Sequence, residues 1–168
     1  MVGRFQHIHK GHEKLINEGL KLCDTFLILY ISNKKKDINN PFSDEYKLNL
    51  INIIYEKEIT SKRLIVKCID NNLKYDHTYG EYIIKYIQKE FKMFPNLVVY
   101  GSDKDITKCF SNEIINNINQ VKVDRNKINI SATKLRKYII EDDYENWKKY
   151  VNKKIYKEYI KLKEDLNG

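Results

Sequence analysis

The sequence predicts an α/β protein: a doubly wound parallel sheet with a C-terminal helical segment beginning at about residue 131. Three observations carry this expectation. Short apolar runs of strand length alternate with longer stretches whose apolar residues recur at helical spacing. The runs at 26–31, 64–69 and 97–100 lack the polar alternation of half-exposed strands, so they read as strands covered on both faces. Beyond residue 131 the spacing is helical. With 168 residues, 42 % of them apolar, one core and a single domain over 1–168 are expected.

Only Met1 and Val2 precede Gly3, so either the first strand is reduced to residues near Val2 and Phe5 or the start is truncated. In 13–22, Leu15, Ile16, Gly19, Leu20 and Cys23 fall on one side of a helix. The second strand, 26–31, runs into the polar loop 32–41, placed where ligands sit in open α/β sheets. Its Lys34, Lys35 and Lys36 read either as a solvated run or as a lid over an anion. A helix over 42–59 turns Leu48, Ile51, Ile54 and Tyr55 inward, with Ser43 able to cap it. Strand 64–69 and a polar loop with Tyr75, Asp76 and His77 follow, then a helix over 79–91 carrying Tyr82, Ile83, Tyr86 and Ile87. Strand 97–100 leads into Gly101-Ser102-Asp103-Lys104-Asp105. A short helix at 113–118, an edge-like strand at 120–124 and a brief extended piece at 128–130 come next. Ser131 and Thr133 open a helix to 140. The last helix, 144 to about 164, aligns Trp147, Val151, Ile155, Tyr159 and Leu162.

The formal net charge of +8 suits polyphosphate, nucleic acid or an anionic membrane. Arginine is scarce, with four residues, and no helix concentrates a basic face, which argues against nucleic-acid reading. Cys23, Cys68 and Cys109 stand far apart without a Cys-x-x-Cys pair and read as reduced thiols. The longest apolar run, 26–31, is far short of a membrane span, and no secretion signal is visible. The expectation is a cytoplasmic protein without membrane or nucleic-acid partners.

The chemistry concentrates in Gly3-Arg4-Phe5-Gln6-His7-Ile8-His9-Lys10-Gly11-His12. His9 and His12 lie where a strand hands over to a helix, and unpaired helix N–H groups there favour phosphate. Three apart, they can face one ligand. Zinc is a poor fit, because His7, His9 and His12 have no cysteine or carboxylate at ligand spacing, so no metal ligands are expected. No Gly-x-x-x-x-Gly-Lys-Ser/Thr loop is present.

These residues resemble the nicotinamide-nucleotide adenylyltransferases of the His-x-Gly-His nucleotidyltransferase superfamily. Four stretches match in order: Gly3 to His12; Asn40-Pro41-Phe42-Ser43 with Lys47 at the place of a later arginine; Gly101 to Asp105; and Ile130-Ser131-Ala132-Thr133-Lys134-Leu135-Arg136. Trp147-Lys148 resembles the family's C-terminal Trp-Lys. His7 departs from the usual proline, and a tryptophan expected after the third strand is absent, leaving Tyr75, Tyr79 and Tyr82.

The resemblance implies a Rossmann-like nucleotidyltransferase fold and adenylyl transfer from Mg²⁺–ATP to nicotinamide mononucleotide, with pyrophosphate leaving. It implies catalytic roles for His12 at the α- and β-phosphates, His9 in positioning the triphosphate, and Arg136 at the β- or γ-phosphate. Gly3, Arg4, Phe5, Gly11, Gly101, Asp103, Ser131 and Thr133 would bind ATP, with Asp103 at adenine or ribose, or orienting Mg²⁺. Lys47, Tyr79 and Tyr82 would bind the acceptor, and Arg4 or Lys47 would hold its phosphate. A homo-oligomer is compatible with the pattern. The alternatives are a related transferase with another acceptor (nicotinate mononucleotide, phosphopantetheine, FMN, or a phosphoalcohol receiving a cytidylyl group) and a non-catalytic nucleic-acid-binding module.

Overall fold

The structure is a computed structural model that describes residues 1–33, 36–70 and 76–167. Its spine is strand β2 (Phe26–Ile31), in which Phe26, Ile28, Leu29 and Tyr30 are buried. It pairs in parallel with β3 (Leu64–Ile69), from Phe26 opposite Leu64 to Ile31 opposite Ile69. On its other side it pairs with β1 (Val2–Gly3), Val2 opposite Leu29 and Gly3 opposite Tyr30. The first strand is two residues long. β4 (Leu97–Gly101) and β5 (Asn119–Val123) form a second parallel pair. Among the described residues no hydrogen-bonded ladder joins β1 to β4.

Side chains of β2 alternate between two cores, as the period of a strand requires. Ile28 and Tyr30 enter one with α1 (Lys10–Leu22), α2 (Asp44–Thr60) and the C-terminal helices. Leu29 enters the other with α3 (His77–Phe91) and α4 (Asn112–Asn116). Helices therefore cover both faces, the doubly wound arrangement expected.

Three elements differ from the sequence reading. α1 begins at Lys10 rather than 13, because His9 caps it. Residues 128–130 form no strand: the Ile128 N–H closes a turn on the Arg125 carbonyl at 2.9 Å, and Asn129 has φ 40°. α5 (Ala132–Ile140) stands as expected, but the last helix is broken into α6 (Tyr144–Lys149), a 3₁₀ stretch Lys153–Glu158 and α7 (Tyr159–Asn167). Asn152 causes the break. Its side-chain oxygen accepts from the Lys154 N–H at 3.0 Å and starts a new turn. Its amide donates to Glu13 at 2.7 Å, pinning that turn to α1. The apolar stripe survives the break, since Trp147, Val151, Ile155, Tyr159 and Leu162 are all buried. Among the described residues no helix is long and apolar enough to cross a membrane.

Candidate active site

A cavity of about 600 Å³ opens where β1, β4, the start of α1 and the start of α5 meet. Of the residues singled out from sequence, Gly3, Arg4, Phe5, His9, His12, Tyr79, Gly101, Asp103, Ser131, Thr133 and Arg136 line it. Folding brings them together from four separate stretches.

The first wall is the turn after β1. Phe5 takes φ 51°, a left-handed conformation costing about 1–2 kcal/mol for a residue with a Cβ. Burial of its ring offsets this: Phe5 is 2 % exposed, and the ring centroid sits 4.7 Å from that of His12. Gln6 clamps the turn to the next loop. Its amide oxygen accepts the Phe42 N–H at 3.1 Å, and its amide nitrogen donates to the Phe42 carbonyl at 3.3 Å.

His9 is the N-cap of α1. Its Nδ1 accepts the Gly11 N–H at 3.1 Å, so the proton of the neutral ring resides on Nε2. Gly11 leaves room for this cap, because a Cβ there would lie 2.9 Å from the His9 ring. The ring centroids of His9 and His12 lie 3.9 Å apart with the planes tilted by 33°, and His12 Nδ1 is buried without a hydrogen-bond partner. Burial, then the charges of His7 and Arg125, pushes His9 down to about 3. Burial, then His9 and Arg125, holds His12 well below the usual histidine range. Both rings are neutral at pH 7 in the free protein.

The second wall is the start of α5. Ser131 caps the helix, its hydroxyl accepting the Lys134 N–H at 3.2 Å. Arg136, one turn on, donates from Nη1 to the Gln6 carbonyl at 3.1 Å and from Nη2 to the Thr133 hydroxyl at 3.3 Å. This nearly buried guanidinium spans from α5 to the first wall and fixes the gap between two helix starts. Partial positive charge from both helices, together with these side chains, suits an anionic ligand.

The third wall is the end of β4. Asp103 accepts from Arg125 Nη2 with both carboxylate oxygens at 2.5 Å. Burial works against the Asp103 charge, but the hydrogen bond and charge of Arg125 outweigh it and hold the carboxyl below its usual range. Gly101 permits the pair. A Cβ there would lie 2.3 Å from Asp103 Oδ1 and 2.6 Å from Arg125 Nε.

Three candidates do not line the cavity: Gly11, buried with its N–H bonded to His9, together with Lys47 and Tyr82. Lys47 is held inside the fold: its side chain is 0 % exposed, and its Nζ donates to the Ile31 carbonyl at 2.8 Å and pairs with Asp44 at 2.7 Å. Tyr82 sits half-buried on α3 against the core of that face, while Tyr79 on the same helix lines the cavity. Lys34, Lys35 and Tyr75 lie outside the described residues. Sequence reasoning missed Gln6, Lys104 and Arg125 as lining residues. The rarity of arginine was the available signal for Arg125, since each of four is a choice against an abundant lysine. Among the described residues no cluster of three or more His, Cys, Asp and Glu is placed to hold a metal.

The sequence profile of the cytidylyltransferase-like family matches residues 1–138. The chain is 26 % identical over 165 residues to a nicotinamide-nucleotide adenylyltransferase of Saccharolobus solfataricus, covering 97 % of this chain and 90 % of that protein. Its fold is similar to a bifunctional NMN adenylyltransferase/ADP ribose pyrophosphatase from Francisella tularensis, complexed with AMP and a Mn ion. The TM-score is 0.71 at 22 % identity, covering 99 % of this chain and 50 % of the other. The chain therefore spans about half the length of that bifunctional protein. It also resembles Plasmodium falciparum nicotinic acid mononucleotide adenylyltransferase complexed with APC, with a TM-score of 0.58 at 17 % identity over 95 % of this chain and 92 % of that one. Because the family profile runs through the five strands of the described residues and both helix starts at the cavity, the chain belongs to the cytidylyltransferase-like family and is a nucleotidyltransferase.

Proposed function

We propose that the protein transfers AMP from ATP to nicotinamide mononucleotide, forming NAD and pyrophosphate by direct in-line displacement. The observation that carries this is the meeting of two helix starts, with His9 and His12 on one and Ser131, Thr133 and Arg136 on the other, around a single cavity. A phosphate-monoester oxygen of the acceptor forms a bond to the α-phosphorus of ATP. The bond from that phosphorus to the oxygen bridging it to the β-phosphate breaks, and pyrophosphate leaves with the electron pair. A phosphate monoester is a competent nucleophile at neutral pH, so the protein's work is alignment and charge stabilisation.

His9 donates a hydrogen bond from its Nε2–H to the triphosphate. His12, neutral in the free site, takes up a proton as phosphate charge arrives and then stabilises the oxygens of the transferring group. Arg136 takes the β- or γ-phosphate, and Ser131 and Thr133 add donors. Arg4, exposed at the rim, holds the acceptor phosphate, and Tyr79 offers its ring to the acceptor base. Gly3, Phe5, Gly11 and Gly101 shape the walls, and Asp103 reaches the nucleotide through its arginine partner. Lys47 and Tyr82, given their positions, have no direct contact in this proposal. Mg²⁺ enters with ATP as part of the substrate, held by phosphate oxygens and water. Nicotinate mononucleotide is the second reading, favoured by the cations Arg4, Lys104, Arg125 and Arg136 in the lining, which suit an additional carboxylate.

The test is incubation with Mg²⁺–ATP and nicotinamide mononucleotide, nicotinate mononucleotide, phosphopantetheine or FMN, following pyrophosphate release and product mass. NAD formed preferentially from nicotinamide mononucleotide is the expected result. Turnover with a different acceptor alone would reassign the substrate, and no turnover with any would overturn the proposal.

A further inference from the structure

We infer that Arg125 is a further phosphate-binding residue of this cavity, stored on Asp103 while the site is empty and transferred to a polyphosphate when one enters. The inference rests on the nucleotidyl-transfer reading of the site, and it deepens that reading by naming a residue and an exchange.

The geometry is that of a poised cation. Arg125 leaves the turn after β5 and lies between the start of α1 and the end of β4. Its Cδ is 3.7 Å from where a Gly11 Cβ would stand, and its Nε is 2.6 Å from where a Gly101 Cβ would stand. The side chain is 20 % exposed, and it lines the same cavity as His9 and His12. A guanidinium offers five N–H donors. Here the hydrogen bonds run from Nη2 to Asp103, and Nε is buried without a partner. Arginine prefers planar, forked recognition of carboxylate or phosphate, so a one-nitrogen contact leaves most of that capacity unused.

Charge balance supplies the second argument. Arg4, Lys104, Arg125 and Arg136 line the cavity, and among the described residues Asp103 is the one carboxylate that does. The lining is therefore short of negative charge, and Asp103 supplies what there is of it near the two histidines. A triphosphate or pyrophosphate brings the missing charge. Once it arrives, the guanidinium gains phosphate acceptors for its spare donors, and the Asp103 contact becomes a competitor. The field of Arg125 already reaches both histidines, since its charge is among the causes holding His9 and His12 neutral. Arg125 thus binds substrate directly, and Asp103 acts through it as a positioning residue.

The two partners of one ion pair should then act on binding with opposite signs. Pyrophosphate, the simplest probe, and Mg²⁺–ATP are titrated calorimetrically into the wild-type chain, Arg125→Gln, Arg125→Lys and Asp103→Asn, with circular dichroism confirming the fold. Arg125→Gln is expected to weaken both ligands by about 10- to 100-fold, the size of a lost hydrogen bond to a charged group. Arg125→Lys, which keeps the charge and loses the fork, should fall between, and it carries the test if the glutamine variant does not fold. Asp103→Asn, which releases the guanidinium, should tighten both by a few fold. Histidine NMR titrations give an independent readout: Arg125→Gln should raise the His9 and His12 midpoints. Wild-type binding with both Arg125→Gln and Asp103→Asn unchanged, or both weakened alike, would overturn the exchange while leaving the nucleotidyl-transfer reading intact. Absence of ATP and pyrophosphate binding by the wild type would overturn both.

Discussion

The indole Nε1 of Trp147 donates to His7 Nε2 at 2.9 Å, joining residues 140 positions apart, both with 0 % exposure. This bond ties α6 to the turn that carries His9 and His12. His7 stands where the resembling family has proline, a change that frees the turn in local terms. The structure shows a tertiary tether taking over that restraint.

Trp147→Phe keeps the apolar bulk and leaves His7 Nε2 buried without its donor. It should cost about 1–3 kcal/mol of stability, and His7→Pro, which orphans the indole N–H, should cost a similar amount. In urea unfolding, the double variant should lose less than the sum, with a coupling of about 1 kcal/mol. Strict additivity would show that the bond contributes nothing.

Acid sensitivity follows from the same histidines. Burial holds His7 down to about 4 and His9 to about 3, whereas unfolded histidine titrates near 6.5. Between those limits the unfolded chain binds more protons than the folded one, so stability falls as pH drops from 6.5 towards 3. Urea midpoints measured at intervals from pH 7.5 to 4.5 should be flat above about 6.5 and decline below it. A flat profile across the whole range would contradict the buried, neutral assignment.

ATP binding should take up protons. His12 is neutral in the free cavity, and phosphate charge beside it favours the imidazolium. Calorimetric titrations at pH 7.5 in buffers of different ionisation enthalpy should show net proton uptake, reduced in His12→Ala. Buffer-independent heats would remove the imidazolium from the mechanism.

Lys47 should prove structural. Its ammonium bonds the Ile31 carbonyl at the end of β2 and the Asp44 carboxylate in the first turn of α2. Lys47→Met deletes both contacts and leaves Asp44, which is partly exposed, without its cation. The expected loss is about 3 kcal/mol, at the lower end for a broken buried pair. The KM values of the folded variant for ATP and acceptor should change by less than about threefold, under 1 kcal/mol of binding. A large, selective rise in acceptor KM would restore Lys47 to the acceptor site.

Much of this architecture was legible in the sequence because its signals are local. The continuous apolar run of β2 marks a covered strand, and Ser131 with Thr133 marks a helix start that the structure shows capped by Ser131. The cavity residues of the Gly3–His12 and Ser131–Arg136 stretches could be picked out because each group is contiguous. What escaped depends on contacts between distant segments. Arg125 reaches Asp103 across 22 positions, Gln6 reaches Phe42 across 36, and Lys47 turns inward only because the end of β2 lies above it. The break in the last helix was hidden for another reason. The apolar stripe continues through Val151 and Ile155, so its periodicity carries no mark of the Asn152 cap.

The central claim is that His12 stabilises the transferring phosphate in a direct displacement at this cavity. Its most direct test is the steady-state rate of dinucleotide formation from Mg²⁺–ATP and nicotinamide mononucleotide by the wild type and by His12→Ala, alongside the ATP dissociation constant of each. The expected result is a fall in kcat of about 10²- to 10³-fold, as for loss of one donor to a developing anion, with ATP binding changed only a few fold. A His12→Ala protein that folds, binds ATP and turns over at the wild-type rate would contradict the account.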